Sequence, residues 1–150
     1  MERSINVKPV NQYLIAASIG NLAAALLHLG CIIFGGDWYR FLGAGEQMAK
    51  MAEAGLLYPT LVTSVITAIL LIFALYTLSG AGAIVRLPLL RLGLWVITAI
   101  YLLRGVSAVL LIPLFPDNSL TFWIISSLVC LTLGAVHFMG VKRMRLLQRK

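Results

Sequence analysis

The sequence predicts an all-α membrane protein, a polytopic bundle of four transmembrane helices that forms a single domain over residues 1–150. The first observation is composition: 61% of the residues are hydrophobic and 11% are charged, whereas soluble domains carry about 25% charged residues. The second is that the apolar residues are gathered into four long runs, and a helix needs roughly 20 such residues to cross a bilayer. The third is a one-sided distribution of Lys and Arg, which orients short loops.

The four apolar runs predict helices at about 13–36, 56–78, 88–112 and 120–140. A secretory signal peptide is the alternative for the first run. However, Glu2 lies where a signal peptide has its basic segment, and the run exceeds the usual length of about 7–15 apolar residues. We therefore expect a helix of the mature chain. Pro59 suits the first turn of the second helix, because its missing N–H has no partner within the helix there.

The connection between the first two helices, residues 37–55, predicts a short amphipathic helix at about Glu46–Ala54. Gly55 follows it in the C-cap position. Glu46 lies at its positive N-terminal end and can pair with Lys50 four residues later. Two interpretations stay open. The segment either lies flat on the lipid surface or packs as a lid over the outer mouth of the bundle.

The net charge of +7 is distributed unevenly along the chain. Basic residues precede the first helix, flank the turn between helices two and three, and follow the fourth helix: Arg3, Lys8, Arg86, Arg91, Lys142, Arg143, Arg145, Arg149 and Lys150. The other connections hold Arg40 and Lys50 with Asp37, Glu46, Glu53 and Asp117. Because Lys/Arg-rich loops stay inside, we expect both termini in the cytoplasm. The basic tail fits an anchor on anionic lipid better than a nucleic-acid partner.

Two stretches of the chain resemble those of a known group of proteins. "WYRFLGAGEQMAKMAEAG" and "ALYTLSGAGAIVRLPLLR" are similar to segments of small four-helix bacterial inner-membrane proteins that carry no assigned activity. The resemblance implies four helices and a bacterial inner membrane. It implies no catalytic residues.

The polar residues inside the apolar runs are the candidate ligand-binding residues. Arg104 is the most informative, because an arginine in mid-bilayer costs about 2.5–3.5 kcal/mol on insertion scales and should face protein. Counting helix rise from the helix ends places polar groups from all four helices in the outer half of the bilayer. The candidates are Arg104, His28, Tyr101, Asn21, Thr63 and Thr67, with Glu46 and Asp37 from the outer connection.

Arg104 needs a partner, and the sequence leaves several open. Glu46 is our first hypothesis for a buried ion pair and Asp37 the second, because both lie on the same predicted side of the membrane. The alternative is that backbone carbonyls, hydroxyls and water suffice. For any single Ser or Thr, the alternative is a bond to its own helix backbone.

Three classes of function fit these residues. We favour a binding or carrier protein for an amphiphile, such as a lipid, a quinone or another lipophilic molecule, with its head in the outer polar pocket. The alternative is an accessory or assembly subunit, or a homo-oligomer, in which the small residues Ala16, Gly20 and Ala24 contact a partner helix. The second alternative is a small intramembrane enzyme, although no catalytic signature such as HExxH is present.

No cofactor or metal is expected. His28 and His137 lie about 13 Å apart in depth by helix rise, too far to share a haem iron. Cys31 and Cys130 fit small buried thiols.

Overall fold

The computed structural model describes residues 10–116 and 118–147. Seven α-helices and one 3-10 turn follow each other in this part of the chain, which contains no β-strand. They are α1 Gln12–Phe34, α2 Gly36–Phe41, α3 Glu46–Glu53, α4 Leu57–Ala81, α5 Leu90–Val106, α6 Ala108–Leu111, the 3-10 turn Ile112–Leu114, and α7 Leu120–Leu147. Several residues used in the topology prediction lie outside the described residues: Arg3, Lys8, Asp117, Arg149 and Lys150.

The prediction of an all-α protein with membrane-length apolar helices is confirmed. Three segments are long and apolar enough to cross a membrane: α1, α4 and Leu120–Met144 of α7. A fourth span exists only if α5 and the bent segment after it, which continues to Leu114, are counted together.

The helices pack mainly in two pairs, α1 with α4 and α5 with α7, and further contacts of α1 with α7 and of α4 with α5 join the pairs. Asn11 ties three helices at one end of the bundle: its N–H donates to Ala81 O at 3.1 Å and its Nδ2 donates to Gly140 O at 2.7 Å. We call this the basic end, because Arg86, Arg91, Lys142 and Arg143 belong to it. The opposite end carries α2 and α3, and we call it the capped end.

Glycines allow the helices to approach closely. A Cβ at Gly134 would lie 2.6 Å from Leu102 Cδ2 and 3.2 Å from Leu102 N, and one at Gly105 would lie 3.1 Å from Leu131 N. The α5 and α7 backbones therefore meet around two reciprocal glycines. Gly20 of α1 faces Leu133 of α7 in the same way. Gly20, on the small-residue face of α1, therefore packs against another helix of the same protein.

The third predicted helix, 88–112, is not continuous in the structure. α5 ends at Val106, and the helical segment after it is bent by 58°. Two residues explain the difference. Ser107 donates its hydroxyl back to Arg104 O at 3.1 Å, a bond that competes with regular helix geometry. Pro113 has no N–H and clashes with the carbonyl four residues earlier in a regular helix. It lies in the first turn of the 3-10 segment.

Candidate functional site

A buried polar chain crosses the middle of the bundle and joins α5, α1 and α7. Tyr101 Oη donates to Asn21 Oδ1 at 2.6 Å, and Asn21 Nδ2 lies 3.2 Å from His137 Nε2. His137 Nδ1 lies 2.7 Å from Leu133 O. Asn21 and His137 have no exposed surface, and Tyr101 is 6% exposed. The chain therefore belongs to the core.

The chemistry of the partners fixes the direction of every hydrogen bond in this chain. A backbone carbonyl only accepts, so His137 must carry its proton on Nδ1 and donate it to Leu133 O. Nε2 is then an acceptor for the amide N–H of Asn21, and Asn21 Oδ1 is free to accept from Tyr101. All three side chains have hydrogen-bond partners in this arrangement.

The remaining intramembrane candidates bond locally or elsewhere. His28 Nδ1 lies 2.8 Å from Ala24 O of its own helix, and Thr67 donates to Thr63 O at 2.8 Å. The hydroxyls of Thr63 and Tyr39 lie 3.0 Å apart. Thr63 therefore joins α4 to α2, and Tyr39 packs with Cys31 and Ala49 in a small buried cluster. The segment made of α2 and α3, which we call the cap, is packed against the ends of α1 and α4.

Arg40 organises the charged surface of the cap. It donates to Glu46 Oε2 at 2.8 Å, to both oxygens of Glu53 and to Asp37 Oδ1 at 3.3 Å. Lys50 lies 4.0 Å from Glu46. These contacts correct the hypothesis of an Arg104 pair with Glu46 or Asp37. The physical reason is proximity, since the glycine-containing turn between α2 and α3 brings Arg40 beside the acids of its own segment.

Acidification is expected to loosen the cap. Hydrogen bonds from Arg40 hold the pKa of Glu46 and of Glu53 below the ordinary value of 4.5. A carboxyl group whose pKa is lowered in the folded state contributes stability above its unfolded pKa and loses it as the pH falls through the folded pKa. The emission of Trp38, with the other two tryptophans replaced by Phe, should therefore change as the pH falls below 4.5.

The matched control for this acid transition is Arg40→Gln, which removes the donor and should abolish the transition. The pairs are solvent-exposed, so the change should also weaken in high salt. An unchanged transition in Arg40→Gln would contradict the assignment.

Arg104 faces α7 near the break after α5. Its guanidinium carbon lies 5.2 Å from the ring centroid of Trp123, and its Nη2 reaches Ser126 Oγ at 3.5 Å, a long contact. Its Nη1 is buried and has no hydrogen-bond partner among the described residues. The same holds for Trp123 Nε1 and Ser127 Oγ. Trp123 is 3% exposed, and Ser127 lies one turn further along the same helix face.

This set of unpaired groups, which we call the donor cluster, consists of Arg104, Trp123 and Ser127. Arginine and tryptophan nitrogens only donate, and serine can donate. A buried donor left unpaired costs about 1–3 kcal/mol, and native proteins satisfy more than about 90% of such groups. Three unpaired groups that can all donate therefore fit a binding site for a hydrogen-bond acceptor.

An open cleft of about 710 Å³ lies at the capped end, and its lining includes neither Arg104 nor Trp123 nor Ser127. Its volume is in the range of ligand pockets, about 300–1,000 Å³. Trp123 connects the two features, because its ring centroid lies 6.3 Å from that of Phe115, which lines the cleft. The other lining residues are Ala44, Gly45, Gln47, Met48, Met51 and Tyr58 on one wall, and Leu114, Pro116 and Asn118 on the other.

The structure brings together Tyr101 and Asn21 of the predicted set. Of the others, Arg104 faces α7, His28 bonds to its own helix, and Thr63, Thr67, Glu46 and Asp37 lie on α4 and the cap. His137, which depth counting had set apart, is the third member of the polar chain that contains Tyr101 and Asn21. Trp123 and Ser127 carry the donor cluster and were not predicted. Trp123 lies at the start of the fourth apolar run, about 8 Å shallower than Arg104 by helix rise, so depth counting gave no signal for their contact.

Fold and site define a class: an α-helical protein in which three of the described helices have membrane-spanning length and composition, with a chain of polar side chains in its core and an orphaned donor cluster. The described residues contain no group of three or more His, Cys, Asp or Glu that could hold a metal ion. The chain matches no family model, no curated protein and no solved structure.

Proposed function

We propose that this protein binds or carries an amphiphilic molecule in a membrane, with the acceptor head of the ligand at the donor cluster and its apolar part in the cleft. The single observation behind the proposal is the set of orphaned buried donors, which the contact of Trp123 with Phe115 links to a cleft of ligand size. Trp123 contacts both Arg104 and Phe115, so its indole ring links the donor cluster to the lining of the cleft, and a ligand that uses both must displace this ring.

The lining of the cleft supports an apolar ligand body. Met48 and Met51 supply flexible thioethers, which adapt to irregular apolar shapes. Tyr58 and Phe115 add aromatic surface, and Gln47 and Asn118 place amide groups among them. A mostly apolar pocket with a few polar groups is the usual form of a small-molecule site.

We further propose four transmembrane spans in a bacterial inner membrane, with the bent segment completing the third span and both termini in the cytoplasm. The support is the separation of the basic end from the acidic cap, which follows the positive-inside rule. A periplasm-dependent enzyme reporter fused after Lys150 should be inactive. An active reporter would reverse the orientation.

The alternative function, an accessory subunit or a homo-oligomer, receives no comparable support. Gly20, which was expected to contact a partner helix, packs on Leu133 of the same chain.

Amphiphile binding is tested with Trp123 as the only tryptophan, after Trp38→Phe and Trp95→Phe. The probes are stearic acid with a nitroxide on carbon five and the methyl ester of that acid. A bound chain should quench Trp123 saturably, because nitroxide quenching requires close approach. The matched control carries Trp123→Phe and Ala135→Trp, which moves the fluorophore to an exposed position on the same helix. Quenching that is linear and equal in both proteins would mean simple partitioning and would contradict the proposal.

A further inference from the structure

The charge on Arg104 is not balanced by any carboxylate that the structure describes. Its side chain contacts Ser126 and the ring of Trp123, and neither group is ionised. A cation–π contact of this kind contributes about 0.5–2 kcal/mol, but it leaves the net charge unchanged. This permanent, partly buried guanidinium charge therefore has no carboxylate partner within residues 10–116 and 118–147.

The acids of the capped end are already engaged. Asp37, Glu46 and Glu53 are the acidic residues that the structure describes, and all three bond to Arg40. Taking any of them to Arg104 would break an existing ion pair with Arg40. Arg40 thus has three carboxylate partners, and Arg104 has none among the residues that the structure describes.

We infer that the head of the ligand is an oxyanion, and that it serves as the counter-ion of Arg104. The inference rests on the proposed amphiphile site and selects among its ligands. A neutral quinone or alcohol would satisfy hydrogen bonds of the donor cluster and leave the guanidinium charge uncompensated. A carboxylate or a phosphate oxygen satisfies both, because it accepts several hydrogen bonds at once and pairs strongly with a guanidinium.

The number of groups in the donor cluster supports an oxyanion over a single carbonyl. Arg104 Nη1 and Trp123 Nε1 are both unpaired, and two donors already fill the two lone pairs of one carbonyl oxygen. Ser127 Oγ adds a third donor. A carboxylate has two oxygens with about four lone-pair sites.

The test compares the nitroxide-labelled stearic acid with its methyl ester, which has the same chain and nitroxide but no charge. Measurements are made at about pH 9, so that a carboxyl group remains ionised even where burial raises its pKa. The single-Trp123 protein should bind the acid about ten-fold more tightly than the ester, a difference of about 1.4 kcal/mol. In Arg104→Gln this ratio should fall to about one, and Arg104→Lys should retain part of it.

Each outcome has a separate meaning. Equal saturable binding of acid and ester by the wild-type donor cluster overturns the oxyanion inference and leaves amphiphile binding intact. Saturable quenching by neither probe contradicts the proposed function itself. A second arm compares labelled phosphatidylglycerol with labelled phosphatidylcholine. A preference for the glycerol lipid that exceeds the preference for the free acid, and that is also lost in Arg104→Gln, supports an oxyanion supplied by phospholipid.

Asp117 lies outside the described residues and needs its own control. Asp117→Asn should leave the ratio of acid to ester unchanged if the ligand is the counter-ion. A rise of about ten-fold in this ratio, which corresponds to about 1.4 kcal/mol, would show that Asp117 competes with the ligand for Arg104. That result would overturn the inference.

Discussion

Replacing Gly134 with leucine is expected to separate α5 from α7 and to cause the largest loss of stability of any single change considered. Even a Cβ at this position would lie 2.6 Å from Leu102 Cδ2 and 3.2 Å from Leu102 N. The side chain of Leu102 can move, but its backbone nitrogen belongs to a helix and cannot. Forcing atoms into a packed interface costs about 1–3 kcal/mol and occasionally more, so we expect a loss of about 3 kcal/mol.

The measurement is the free energy of unfolding in mixed micelles, titrated with a denaturing detergent and followed by helical circular dichroism. Ala135→Leu is the matched control, because it enlarges the next residue of the same helix at an exposed position. It should be nearly neutral. Equal stability of the two variants would mean that α5 and α7 do not approach as closely as the glycines indicate.

Asn21→Leu is expected to have the second-largest effect, because one change leaves two buried groups without partners. Tyr101 Oη loses its acceptor and His137 Nε2 loses its donor. An unpaired buried group costs about 1–3 kcal/mol, and hydrogen bonds between membrane helices contribute toward the low end of that range. We therefore expect a loss of about 2 kcal/mol in the same unfolding titration.

Two further variants distinguish the contribution of the polar chain to stability from general effects of substitution. Tyr101→Phe removes only the bond to Asn21 and should cost about half as much. Thr67→Val replaces a hydroxyl that bonds to its own helix and should be nearly neutral. If Asn21→Leu were as stable as the wild type, the buried chain would contribute nothing to the fold.

Most of the sequence predictions rested on helical periodicity and on the length of the apolar runs. Asn21 and Tyr101 were both predicted as residues of one polar pocket, and the structure joins them with a hydrogen bond in the core. The partner of Asn21 was missed, because depth was counted for His28 and not for Asn21, which lies two turns nearer the basic end. On the same count Asn21 and His137 lie at similar depth.

Interactions that depend on tertiary arrangement were not predictable. The sequence contains Arg40 and Glu46 six residues apart, but only the turn at positive-φ Gly43 and Gly45 brings them together. The orphaned Nε1 of Trp123 is likewise a property of the packed structure, since any tryptophan has the same N–H. The break after Val106 lies inside an apolar run, where composition alone indicates a continuous helix.

The early end of α5 bears on the bilayer around it. Seventeen residues extend about 25 Å at 1.5 Å per residue, a few ångströms less than hydrocarbon about 30 Å thick. In the four-span arrangement proposed above, the bent segment must complete this span at an angle, and a span whose straight part is this short favours local thinning of the bilayer. Lipid headgroups would then move toward Arg104, so membrane thickness itself becomes a variable that sets how exposed the donor cluster is.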